Sequence, residues 1–126
     1  MIYNIITVKV KERPERMKLQ MLLKGLQSIN PFYAQRIGKL CEALTENHIS
    51  FELGAVSGLN GFIVLFPNAK HRTGDIILHD CSYGRYFGGF EGYGNMSTVE
   101  GDVCVFETIE EVVEQAKKQG YVKSAE

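Results

Sequence analysis

The sequence predicts an α+β fold: an antiparallel sheet of about five to six strands with three helices, in the order β-α-α-β-β-β-β-β-α. Two observations predict it. Helical patterns are segregated, two near the N-terminus and one near the C-terminus, and segregated helices mark α+β architecture. Between them, short β-rich segments follow one another across tight turn signals, and strands joined this closely pair antiparallel. At 126 residues, with a hydrophobic fraction of 44% and a charged fraction of 23%, the chain has the composition and length of one ordinary globular domain spanning residues 1–126.

Each element has its own local signal. Residues 2–10, with Ile6, Val8 and Val10 alternating with Thr7 and Lys9, read as a strand. Pro14 suits the first turn of a helix running to about Ser28, with Leu19, Leu22, Leu23 and Leu26 on one face. Asn30-Pro31 restarts the chain as N-cap and first helical residue. The second helix carries a stripe of Tyr33, Ile37, Leu40, Cys41 and Leu44, and Asn47 is the expected left-handed stop. Ile49, Phe51, Leu53 and Ala55 alternate with Ser50, Glu52 and Gly54, the pattern of a half-buried strand. Gly58-Leu59-Asn60-Gly61 is a turn. Residues 62–66 have no polar face, as a central strand would. Residues 67–74 form a polar loop carrying Lys70, His71 and Arg72, and residues 75–81 the next strand. Residues 102–106 form a further strand. Thr108-Ile109-Glu110-Glu111 is a capping box opening a helix that Gly120 closes.

The window 82–96, SYGRYFGGFEGYGNM, combines glycine, aromatics and the single cation Arg85. Gly88-Gly89 has the chemistry of a two-residue hairpin turn. That hairpin would pair Phe87 with Phe90, Tyr86 with Glu91, Arg85 with Gly92 and Gly84 with Tyr93. It would be a tight structural hairpin or a binding surface, because aromatics supply large rigid contact area.

The bulk numbers exclude some classes. No apolar run approaches the ~18 residues of a membrane span, so no membrane role is expected. The N-terminus does not read as a secretory leader. Three cysteines, Cys41, Cys81 and Cys104, are an odd number, which fits a reducing cytoplasm. The net charge of −1 hides an asymmetry: residues 1–40 carry eight basic and two acidic groups, residues 41–126 six basic and thirteen acidic. The basic part could face nucleic acid or an acidic protein. Alternatively its charges pair with the acidic C-terminal helix, in the same molecule or across a homodimer.

Reactive residue types are densest at His79-Asp80-Cys81. A cysteine beside a histidine can be an activated thiolate, so Cys81 with His79 or His71 is the candidate for a cysteine-dependent enzyme. On a strand His79 and Cys81 would share a face about 7 Å apart, too far for direct use. His48, His71, His79, Asp75 and Asp80 lack fixed ligand spacing, and no metal is expected. No Walker or GxGxxG pattern is present and no cofactor is expected. Lys70, His71 and Arg72 could grip a small anionic ligand or nucleotide from their loop. The aromatic window could stack bases, but the overall charge does not make nucleic acid the default partner.

Ser82-Tyr83-Gly84, the glycine-rich segment after it, Asp102-Val103 and Thr108-x-Glu110-Glu111-Val112 resemble small uncharacterised proteins of bacteriophages and mobile elements. The resemblance covers residues 82–115 and implies an accessory protein, such as an inhibitor of a host system, that works by binding rather than catalysis. The sequence therefore favours a cytoplasmic protein that binds a protein partner. Its candidate contact residues are Tyr83, Arg85, Tyr86, Glu91, Tyr93, Lys70, His71 and Arg72.

Overall fold

The computed structural model describes residues 5–10, 31–56, 58–66 and 74–120. The helix expected over 14–28, the loop residues Lys70, His71 and Arg72, and the tail after Gly120 lie outside the described residues. Within them the order is β1 (Ile5–Val10), α1 (Pro31–Glu46), β2 (Phe51–Val56), β3 (Gly61–Leu65), β4 (Gly74–Leu78), a 3-10 turn (Arg85–Phe87), β5 (Phe90–Gly94), β6 (Cys104–Phe106) and α2 (Ile109–Lys118). The architecture is α+β. Six strands form one sheet in sequence order, every neighbouring pair antiparallel. No helix among the described residues is long and apolar enough to cross a membrane.

The register explains the core. Leu53 lies opposite Val64, Val64 opposite Ile76, Ile76 opposite Gly92, and Gly92 opposite Cys104. Because side chains alternate along a strand, this row shares a face with Phe51, Phe62, Leu78, Phe90 and Phe106, all buried. Helix α1 adds Ala34, Ile37, Leu40, Cys41 and Leu44 to the same cluster, and α2 adds Val112, Val113 and Ala116. Each large aliphatic chain sealed in this way contributes about 1.5–3 kcal/mol. Burial also pushes the Cys41 thiol well above its usual range. Gly92 admits no larger side chain: a Cβ there would stand 2.6 Å from the Phe106 ring.

The helix ends follow local chemistry. Thr108 caps α2, its hydroxyl accepting the Glu111 amide at 3.2 Å. At the end of α1 the left-handed residue is His48 (φ 59°), correcting the assignment to Asn47. The amide of Ile49 donates to Leu44 O at 2.9 Å and that of His48 to Thr45 O at 3.1 Å. This is the Schellman pattern, with Ile49 and Leu44 both buried against the core. Asn47 sits one residue earlier and uses its side-chain amide on Ala43 O.

Three strand expectations change. β2 is buried along its whole length rather than half-buried. Its Glu52 and Gly54 alternate with Phe51, Leu53 and Ala55 as expected, but the second face of the sheet is also withdrawn from solvent there. β4 stops at Leu78, three residues short of the strand expected to reach Cys81. The hairpin centred on Gly88-Gly89 does not form. β5 instead pairs with β4, placing Glu91 opposite Ile77 and Tyr93 opposite Asp75. The pairings of Phe87, Tyr86, Arg85 and Gly84 with Phe90, Glu91, Gly92 and Tyr93 are all replaced by this register.

Candidate binding surface

The connection from β4 to β5 wraps round the end of the sheet, and His79, Cys81, Tyr83, Arg85 and Tyr86 lie on it. It opens with a turn over residues 79–82. Ser82 is fully buried (0% exposed), and its hydroxyl accepts the His79 amide at 3.0 Å and donates to His79 O at 2.9 Å. The Ser82 amide closes on the same carbonyl at 3.1 Å. Gly61 makes room for this turn: a Cβ there would stand 2.2 Å from the His79 Cβ. The turn is anchored laterally by the Asp80 amide on Leu59 O and by Asn60 Nδ2 on the Asp80 carboxylate, both at 2.9 Å.

The chain next crosses the second face of the sheet. Glu91 and Val105 alternate with core residues and so point to that face. Glu91 is only 2% exposed. Its carboxylate accepts the Tyr83 amide at 3.1 Å, a charge-assisted bond of the stronger kind. Gly84 (φ 86°) presses on Val105, with room for no side chain. The chain then coils through the 3-10 turn Arg85–Phe87 between two left-handed glycines, Gly84 and Gly88 (φ 80°). The Gly89 amide returns to Gly84 O at 2.8 Å. Of the Gly88-Gly89 pair expected to make a hairpin turn, Gly88 instead closes a short coil that Gly84 opens, the positive φ being used at 84 and 88.

Helix α1 closes the surface from the other side. Arg36 reaches across to donate to Arg85 O at 2.8 Å, and its guanidinium carbon would lie 3.5 Å from a Cβ at Gly88. Arg85 donates to Ser82 O at 2.6 Å and to the Tyr86 hydroxyl at 2.9 Å. Its guanidinium also stacks over the Tyr86 ring, 4.2 Å from the centroid. Tyr33 hydrogen-bonds the Asp80 carboxylate, and its pKa rises through burial first and the Asp80 charge second. Among the described residues, Tyr86 (82% exposed), Phe32 (71%) and Tyr83 (61%) remain turned to solvent.

His79 does not work with the Cys81 thiol as a strand pair, because neither residue is on a strand. The Cys81 amide donates to His79 Nδ1 at 3.0 Å, which leaves the ring proton on Nε2. The His79 pKa is lowered, chiefly by burial; the charges of Glu91 and Asp80 work against that shift. Cys81 is exposed, whereas Cys41 and Cys104 are buried. No group of three metal-ligating side chains occurs among the described residues.

The structure therefore brings together Tyr83, Arg85, Tyr86, Glu91, His79 and Cys81. Tyr93 lies two residues along β5 from Glu91 and on the same face, half-buried opposite Asp75. Sequence reasoning missed Phe32, Arg36 and Ser82 as parts of this surface, and read Asp80 only as a reactive or metal-ligating type. Phe32 and Arg36 are an i, i+4 pair and so neighbours on one helix face, but nothing local ties Arg36 to a carbonyl 49 residues away. Concavities among the described residues elsewhere include one of about 310 Å³ beside α2, lined by Phe106, Glu110, Glu114 and Lys118 among others, and one of about 320 Å³ at Tyr93, Gly94 and Asp102.

No family model, curated protein or solved structure matches the chain.

Proposed function

We propose that this chain is a binding protein, acting through protein–protein contact at the 82–88 loop and the first turns of α1. The observation that carries the reading is the exposure of Tyr86, Tyr83 and Phe32 on a segment whose supports are buried and hydrogen-bonded. Tyr and Arg are the residue types that concentrate binding energy at protein interfaces. A loop that holds them out in a fixed geometry reduces the ordering cost of association. The accessory or inhibitor role that the phage resemblance of residues 82–115 implies, and a cytoplasmic setting, belong to the same proposal.

The test is site-specific photocrosslinking in cells of the source organism. A benzophenone amino acid at position 86 should trap one discrete protein, and the same group at Val99, also exposed, should not. Tyr83→Ala should weaken the adduct while the far-ultraviolet circular dichroism stays unchanged. Equal trapping from positions 86 and 99 refutes the surface.

A further inference from the structure

Resting on that reading, we infer that Arg36 and Arg85 form a receptor for a carboxylate of the protein partner, an acidic side chain or chain terminus set beside an apolar residue. Each guanidinium carries five N–H donors. Among the described residues, Arg85 uses two, on Ser82 O and the Tyr86 hydroxyl, and Arg36 uses one, on Arg85 O. All three acceptors are neutral. Both arginines are half-buried, where a charge gains most from an opposite charge.

The nearby carboxylates are engaged elsewhere. Glu91 holds the Tyr83 amide, and Asp80 holds Asn60 and Tyr33. The remaining guanidinium donors have no hydrogen-bond partner among the described residues. Tyr86, already stacked under Arg85, and the exposed Tyr83 of the same loop supply apolar area beside them. A planar guanidinium matches a carboxylate in bidentate geometry.

The surrounding charge sets the class of partner. Asp80 and Glu91 lie within the loop's own hydrogen-bond network. A polyanion such as nucleic acid would meet those two carboxylates as well as the arginines. One or two carboxylates in an apolar segment would meet only the two arginines.

The experiment is selection of a random twelve-residue peptide library on the folded full chain, with enriched peptides resynthesised and measured by fluorescence anisotropy. Enriched peptides should share an Asp, a Glu or a free C-terminus next to an apolar residue. Replacing that Glu by Gln, or making Arg85→Gln, should weaken binding about tenfold or more, the size of a hydrogen bond between charged groups. Arg36→Gln is the second variant and should weaken it in the same direction if Arg85→Gln fails to fold. Tyr86-dependent peptides without a carboxylate, or peptides indifferent to both arginines, overturn the carboxylate receptor and leave the binding surface standing. Failure to enrich, or peptides that bind Tyr86→Ala and Tyr83→Ala as they bind the parent, overturns both. Sodium phosphate that displaces the peptide far better than acetate or chloride at equal ionic strength shows a site for free phosphate, and overturns the assignment to a protein carboxylate.

Discussion

Ser82→Ala tests whether the loop is sealed. The hydroxyl of Ser82 makes two bonds, to the amide and the carbonyl of His79. Removing it does not strand the carbonyl, which keeps the Ser82 amide at 3.1 Å. It does strand the His79 amide, whose acceptor was the hydroxyl. The site is fully buried and the deleted atom is small, so little of the effect comes from lost apolar contact. What remains is one buried unsatisfied donor, which costs about 1–3 kcal/mol. That is a large share of the roughly 5–15 kcal/mol stabilising a domain. With a urea m-value of about 1–3 kcal/mol/M, the midpoint should fall by roughly 1 M with m unchanged. The assay is urea unfolding followed by far-ultraviolet circular dichroism, with near-ultraviolet dichroism reporting the loop tyrosines. A shift under about 0.5 kcal/mol, the range of ordinary surface substitutions, would mean that water reaches the His79 amide, and the rigid presentation of Tyr83 and Tyr86 would lose its basis.

Burial lowers the His79 pKa below its ordinary 6.5, so the unfolded chain binds this proton before the folded one does. The stability tied to this group is complete above pH 6.5 and falls as pH drops from there through the folded pKa; in His79→Asn the pH 5–7.5 stability profile should flatten relative to the parent, and an identical slope refutes the assignment. Gly61→Ala should cost more than 2 kcal/mol in thermal or urea unfolding, because its Cβ would stand 2.2–2.4 Å from Leu78 and His79 atoms of which two are backbone. Gly101→Ala meets open space and should cost only the strain of its positive φ; equal losses at the two positions would show that β3 and the 79–82 turn do not press together. Iodoacetamide should modify Cys81 in the folded protein and leave Cys41 and Cys104 untouched until denaturant is added, as read by peptide mass spectrometry. Native labelling of Cys41 would contradict its burial in the α1 core.

Much of the fold was legible because its signals are local and periodic. The stripe of Ile37, Leu40, Cys41 and Leu44, the Thr108 cap and the apolar run at 62–65 each report their own environment. The 79–89 connection was misread because its decisive contacts are distant in sequence. Gly88-Gly89 offers a hairpin turn, but β5 gains more by pairing with β4 and β6, where Phe90 and Phe106 meet across the ladder in the core. Once β5 is committed to β4, the residues before it have no strand to pair with, and they coil. Glu91 shows the same limit. It was a candidate contact residue, and it is buried instead, with its carboxylate accepting the Tyr83 amide of the loop. The candidate surface was half legible: Tyr83, Arg85 and Tyr86 lie on one connection, but on a coil that packs Tyr86 against Arg85 rather than on the expected hairpin, whereas Arg36 comes from a helix whose face toward the loop no local pattern marks.

The loop's construction bears on how such a surface would bind. A tyrosine or arginine on a free loop loses about 0.5–1.5 kcal/mol of side-chain and loop freedom when a partner fixes it. Here Arg85 is already held at Ser82 O and Tyr86, and the backbone at 85 is held by Arg36. Part of that ordering is therefore complete before any encounter. Arg36→Ala would remove the tie between α1 and the loop without touching Tyr86. Its effect should then separate by rate: a surface that uses Arg36 only as a tie should lose association rate, because the competent geometry is populated less often. A surface that also places a partner carboxylate on Arg36 should lose residence time as well, since broken contacts act mainly on dissociation. Surface plasmon resonance on the photocrosslinked partner distinguishes the two, and unchanged rates in both directions would remove Arg36 from the surface altogether.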